Sequence, residues 1–234
     1  MKKITLAACL AGTTLLASPA FADGIFDGTF TVGAMTGTYS KVDTDDEYDA
    51  YVVPMVMYES ELLSVTPVSA HVTPDLGIPV QLKAGFEVDY SEHFDDDIDD
   101  ADTFWDLNLG ASTGIGMMMV DGDMSVDATD FGGRQKASLK VGVGAPPVAG
   151  INVMAYGGAT YMNADYVNHD FDSENGENSI FYSAGVNAAT QLSENIMISA
   201  VASRDFFSDE IKDLAEVERD GRTEFALMFG WQIK

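Results

Sequence analysis

From Val80 to Tyr90 the chain reads Val-Gln-Leu-Lys-Ala-Gly-Phe-Glu-Val-Asp-Tyr, apolar or aromatic at every even number and polar, charged or glycine at every odd one. Successive strand side chains point to opposite faces, so one face of this segment meets something oily and the other something wet. At about 3.3 Å per residue the segment runs about 36 Å. Tilted by about 40° it spans about 28 Å, close to the apolar band of an outer-membrane barrel. Strands of globular proteins are usually about half as long.

The start of the chain gives its destination. Lys2 and Lys3 form a charged start, Ile4 to Leu16 an apolar stretch, and Ala20-Phe21-Ala22 a small-x-small cleavage site. Together these predict a secretory signal peptide over 1–22, with the barrel in 23–234. A lipoprotein signal is the competing reading, because Leu6-Ala7-Ala8-Cys9 has the residue types of a lipid-attachment box. Cleavage after Ala22 removes Cys9, the one cysteine of the chain, and with it disulfides, thiolate metal sites and cysteine nucleophiles. The expected location is the outer membrane of a Gram-negative cell, reached through the periplasm.

Acidic residues number 38 against 12 lysines and arginines, a formal charge of −26. Phosphate backbones need clustered basic side chains, so nucleic acid is not an expected partner. The acids gather at Asp43 to Asp49, Glu92 to Asp106, Asp170 to Glu177 and Asp205 to Asp220. Between them lie eleven alternating or apolar stems: Thr29 to Met35, Tyr48 to Tyr58, Leu62 to Val72, Val80 to Tyr90, Trp105 to Ile115, Met117 to Ala128, Ala137 to Ala145, Ile151 to Tyr161, Ile180 to Ala188, Ile196 to Ala202 and Phe225 to Ile233. Helical patterning is confined to Glu210 to Val217.

A soluble sandwich or lipocalin-like barrel also alternates. Two features favour the membrane. The non-apolar face is small and polar, as in Asn108, Gly110, Ser112 and Gly114, which suits a narrow barrel interior. Short connections at 145–150 and 191–195 alternate with long acidic ones at 163–179 and 203–222, the arrangement of periplasmic turns and extracellular loops. Aromatics near stem ends (Tyr51, Tyr58, Tyr90, Trp105, Phe181, Tyr182, Phe206, Phe207, Phe225, Trp231) are expected to form interfacial girdles. The fold class is therefore an all-β, antiparallel transmembrane barrel. Single-chain bacterial barrels have even strand numbers, so eleven stems mean twelve strands, with a short one near Pro67 to Pro79, or ten. Twelve is preferred.

The stretch Tyr39, Asp43 to Asp46, Tyr48, then Val52-Val53-Pro54 and Tyr58 resembles the opening of the MipA/OmpV family. Ile98 to Asp102 leading into Leu107-Asn108-Leu109-Gly110, Asp130 to Gly133 before Ala137 to Ala145, and Glu216 to Gly221 before the last stem are similar to that family's later segments. The resemblance implies an outer-membrane protein whose relatives bridge a murein lytic transglycosylase and a murein synthase, or behave as porins or surface antigens. The short periplasmic turns offer little surface for the bridging role.

Strand parity points Lys83, Glu87, Asp106, Asp123, Asp127, Lys136 and Lys140 into the lumen. Asp123 and Asp127 precede Lys136 and Lys140 by one stem, so opposite charges are expected to face each other across one hairpin. That predicts either a charged constriction that selects solutes or a plug of ion pairs that satisfies buried charge. No nucleophile motif surrounds any serine, and His71, His93 and His169 form no triad pattern, so no catalytic activity is expected, an outer-membrane hydrolase with a surface site in the acid and histidine loops at 91–102 and 163–177 being the weaker alternative. Asp170-x-Asp172-x-Glu174-Asn175-Gly176 begins like a calcium loop but has Phe181 at position 12. Neither cofactor nor metal is implied. The acidic loops are read as solvated, sharing divalent ions with lipopolysaccharide, and outer-membrane lipid is the expected surrounding partner.

Overall fold

The computed structural model describes residues 28–43, 48–66, 68–74, 76–90, 103–130, 133–171, 173–215 and 217–233, the side chains of 89, 90, 103 and 104 excepted. The signal peptide expected over 1–22, the whole 91–102 loop with His93, and the Tyr90 side chain lie outside the described residues.

Twelve strands form one closed antiparallel barrel: β1 (Thr29–Ser40), β2 (Tyr48–Glu59), β3 (Leu63–Val65), β4 (Ser69–Val72), β5 (Val80–Tyr90), β6 (Thr103–Ile115), β7 (Met118–Asp127), β8 (Gln135–Val148), β9 (Ile151–Met162), β10 (Ser179–Ser193), β11 (Ile196–Phe206) and β12 (Gly221–Ile233). Each strand pairs with its neighbour in sequence. β1 closes the ring on β12 from Phe30 opposite Ile233 to Tyr39 opposite Glu224. The twelfth strand is β4, in the stretch from Pro67 to Pro79 where a short strand is expected, and it comes from splitting the expected Leu62 to Val72 stem. Leu62 to Val72 is a hairpin of two strands, β3 and β4, because Thr66 turns the chain: its hydroxyl accepts from Val68 N–H at 3.3 Å and Ser69 N–H at 3.0 Å.

Alternation sorts the residues of each strand between two environments. On β12, Phe225, Leu227, Phe229, Trp231 and Ile233 are exposed on the outer wall, while Met228 between them is buried. β2 repeats the pattern: Val52 and Val56 are exposed, and Tyr51, Val53 and Met55 are buried. A closed sheet that turns a continuous apolar face outward is stable only in lipid. Trp105, Tyr182, Phe206, Phe225 and Trp231 are exposed on that outer wall, as interfacial aromatics would be. Three expected girdle residues are placed elsewhere. Tyr51 faces inward and donates to Glu224 Oε1 at 2.8 Å, Phe207 is buried in a loop cluster, and Phe181 packs against that cluster.

Two short helices occupy the long loops, α1 (Ala164–Asp170) between β9 and β10 and α2 (Asp209–Lys212) between β11 and β12. The loops at this end hold a core of their own. Met162, Tyr166, Val167 and Phe171 pack with Phe207, Ile211, Leu214 and Val217, and Val42 of the β1–β2 loop joins them. Phe171 and Phe207 meet edge to face at 5.3 Å between centroids. Three loops are thus tied into one cap, and Glu218 N–H donates to Val42 O at 2.8 Å.

Candidate functional site

The inner face of β5 to β8 gathers the charges. On β6, Asp106 is only 1% exposed, and Glu87 of β5 stands beside it in register, with Ser69 of β4 on the far side. A carboxylate so buried needs a cationic or hydrogen-bonding partner. Asp106 has one in Arg134, 5% exposed, whose Nη2 lies 2.9 Å from Asp106 Oδ1 while its Nε lies 3.4 Å from Asp127 Oδ2. Asp127 Oδ1 also accepts from Thr129 N–H at 2.8 Å, the Thr129 hydroxyl at 2.6 Å and Asp130 N–H at 3.2 Å. That Asx turn opens the β7–β8 loop and delivers Arg134 back over the sheet.

The neighbouring charges are paired along the same face. Lys83 Nζ lies 3.4 Å from Asp121 Oδ1. Across the β7–β8 hairpin, Asp121 stands opposite Lys140, Asp123 opposite Ser138 and Ser125 opposite Lys136. The Ser138 hydroxyl donates to Asp123 Oδ1, and Asn108 Nδ2 donates to Ser125 Oγ at 3.3 Å. Opposite charges therefore do face each other across this hairpin, but through Asp121 and Lys140, while Asp127 is held by an arginine from the loop.

Lys136 links the inner face to the cap. Its Nζ donates to the Tyr166 hydroxyl at 2.6 Å and lies 4.7 Å from that ring's centroid, and the Arg134 guanidinium lies 5.6 Å from the same ring. Tyr166 is held in place by its helix. Asn163 caps α1, accepting from Tyr166 N–H at 3.1 Å and Gln135 N–H at 2.9 Å, and donating to Gly133 O at 2.7 Å. On α2, outside the membrane span, hydrogen bonding from Lys212 holds the Asp209 carboxyl below its usual range.

Arg134, Asp121 and Tyr166 are not among the inner residues expected from the sequence. Asp121 shares the parity of Asp123 and was available to the same argument. Arg134 and Tyr166 lie in connections, where parity carries no information. Among the described residues no group of three His, Asp or Glu side chains is placed to hold a metal ion.

Comparison with curated proteins gives no match. Among solved structures, a NanC porin is similar with a TM-score of 0.51 at 9% identity, covering 86% of this chain and 100% of that one. An anion-selective porin from Comamonas acidovorans gives a TM-score of 0.47 at 8% identity, covering 88% and 98%. At 9% identity the likeness to the NanC porin is one of fold. The family described as MltA-interacting protein MipA matches residues 32–233, nearly the whole barrel. With its closed twelve-stranded ring and lipid-facing outer wall, this outer-membrane β-barrel belongs to the MipA family.

Proposed function

We propose that the chain is a non-enzymatic scaffold of the outer membrane that holds a murein lytic transglycosylase, and through it a murein synthase, against its periplasmic rim. The observation that supports this is where the most exposed large apolar side chains lie. Ile115, 79% exposed, and Val148, 74% exposed, flank the β6–β7 and β8–β9 turns, with Leu76, Ile78, Met117 and Leu192 exposed at the same end. Short turns face the periplasm in outer-membrane barrels. A row of apolar tips there suits a protein partner, because exposed apolar patches mark interaction sites. The family's name, MltA-interacting protein, agrees with a transglycosylase as that partner.

The capped mouth and the paired inner charges favour a barrel that works through its surfaces. The acidic loops would share divalent cations with lipopolysaccharide at the other end. The test is capture of a purified murein lytic transglycosylase by the refolded barrel. Wild type should retain it and the pair Ile115→Asp with Val148→Asp should not. Failure of wild type to retain the enzyme sinks the reading. A second reading, a small-solute channel, draws on the inner-face lysines Lys83, Lys136 and Lys140. Steady single-channel steps in planar bilayers that change selectivity in Lys136→Gln and Lys140→Gln would decide for it.

A further inference from the structure

Methionine occurs at both extremes of burial in this barrel. Met35, Met55, Met154, Met162 and Met228 are buried, whereas Met117 is 58% and Met118 51% exposed. Met124 is exposed too, but it stands opposite Leu109 at mid-wall, where lipid covers it. Met117 and Met118 belong instead to the tight β6–β7 turn. Ile115 pairs with Met118 across that turn, and Gly116 takes φ +64°, a conformation that glycine adopts without strain.

The turn lies at the periplasmic end of the wall. Trp105 is exposed near the other end of β6, and the strand from there to Ile115 runs about 33 Å, or about 25 Å along the membrane normal at a tilt of about 40°. That matches the height of the apolar band, so Ile115 marks the inner interface and the turn beyond it stands in periplasmic water. Gly144 N–H donates to Met117 O at 2.7 Å, which ties the turn to the base of the β8–β9 hairpin. Met117 and Met118 therefore lie where the two hairpins meet, on the rim that carries Ile115 and Val148.

An exposed thioether is open to oxidants, and its sulfoxide is polar and chiral, which disrupts methionine-rich interfaces. Docking would then bury a strong acceptor without a donor, at a cost the thioether does not carry. We propose that Met117 and Met118 are an oxidation site governing the periplasmic rim: hydrogen peroxide converts them to sulfoxides, and a partner docked there is released. A sulfur lone pair takes one peroxide oxygen, the O–O bond breaks, and sulfur is oxidised by two electrons. The proton of the transferred hydroxyl passes to the departing hydroxide, which leaves as water. Methionine sulfoxide reductases reverse the change. Release of the partner rests on the scaffold role proposed above, whereas oxidation of these two sulfurs does not.

The test treats the refolded mature barrel in detergent micelles with hydrogen peroxide and quenches with free methionine. Sulfoxides are mapped by peptide mass spectrometry, and a purified murein lytic transglycosylase is then added. Sulfoxide at Met117 and Met118 is expected at doses that leave Met35, Met55, Met154, Met162 and Met228 intact and the barrel heat-modifiable on electrophoresis. Retention of the transglycosylase should fall severalfold and return after treatment with methionine sulfoxide reductases. The double variant Met117→Leu with Met118→Leu should retain it with or without peroxide. Equal oxidation of the buried methionines overturns the proposal, as does undiminished retention by a barrel carrying both sulfoxides, or a peroxide-induced loss of retention in the double variant. An untreated barrel that retains nothing sinks the scaffold role and release with it, while the sulfoxide map still decides the oxidation site.

Discussion

Arg134, in the loop after β7, donates to Asp106 of β6 at 2.9 Å, joining residues 28 apart in the chain on the inner face of the barrel. Its Nε serves Asp127 as well, so one guanidinium answers two buried carboxylates. Removing one partner of a buried pair leaves an uncompensated charge and costs about 3–5 kcal/mol. Arg134→Ala should lower the stability of the folded barrel by about that amount, read from urea unfolding in detergent followed by tryptophan fluorescence. Arg134→Lys should recover only part of the loss, because a point charge does not reproduce the fork that meets both acids. Wild-type stability in Arg134→Ala would show that the two carboxylates are solvated by other means.

Tyr166 joins the cap to the inner wall through Lys136. Tyr166→Phe keeps the ring beneath both cations but removes the acceptor 2.6 Å from Lys136 Nζ, a loss of about 1.5–3 kcal/mol for a hydrogen bond to a charged donor. Tyr166→Ala removes the ring from the cap core too. Protease accessibility of the 163–178 loop should rise slightly in the first variant and strongly in the second. Equal accessibility in both would mean that the hydroxyl contributes everything and the ring nothing.

Strands were legible because each must satisfy lipid on one face over most of its length. Val80 to Tyr90 is a strand with those same bounds, and the last stem differs from β12 only by the added Gly221 to Glu224. A short strand near Pro67 to Pro79 was legible from the strand count, but the position of the β3–β4 turn was not, since Thr66-Pro67-Val68 sits inside an apolar run and the turn rests on Thr66, whose hydroxyl accepts from Val68 and Ser69 N–H while its own N–H donates to Ser69 O at 2.8 Å. Nor was α1. Ala164 to Asp170 has little helical patterning, and its helix rests on the Asn163 cap and on Tyr166 and Val167 being buried against residues of another loop. The inner positions of the charges followed from parity, whereas Arg134, the partner of Asp106 and Asp127, was fixed by tertiary packing of a loop.

Asn163 carries a load out of proportion to its size, serving α1, β8 and the β7–β8 loop with one amide. Asn163→Ala should cost about 1–2 kcal/mol from the lost cap alone. Because Gly133 adjoins Arg134, the same change should also raise amide exchange at 133–135. Faster exchange restricted to 164–170 would show that the cap and the Arg134 loop are independent.

Pro54 is expected to act against self-association. Among the described residues no strand pairs with β2 from Tyr48 to Met57 on the side away from β1, and Pro54→Val supplies the N–H missing from that edge, which makes it competent for strand addition. Dimers cross-linked through cysteines placed at Val56 should increase severalfold over the same cysteine variant with Pro54 intact. An unchanged dimer yield would place the protection elsewhere on the edge.

Gly33 and Gly230 face each other where β1 meets β12, the pairing that closes the ring. A Cβ added at Gly33 would overlap the Phe229 carbonyl oxygen and lie 2.9 Å from Gly230 Cα. Both obstacles are backbone of the partner strand, so no rotamer change relieves them, and the seam itself must open. Overpacking of this kind costs about 1–3 kcal/mol where side chains can yield, and more where they cannot. Gly33→Ala should therefore fail to give the heat-modifiable band of a closed barrel on electrophoresis. Gly122→Ala supplies the control, because its added Cβ would meet Leu139 Cδ1 and Ser138 O at 3.7 Å, an ordinary contact. A closed, heat-modifiable Gly33→Ala barrel would mean that β1 and β12 can shift apart and still seal the ring.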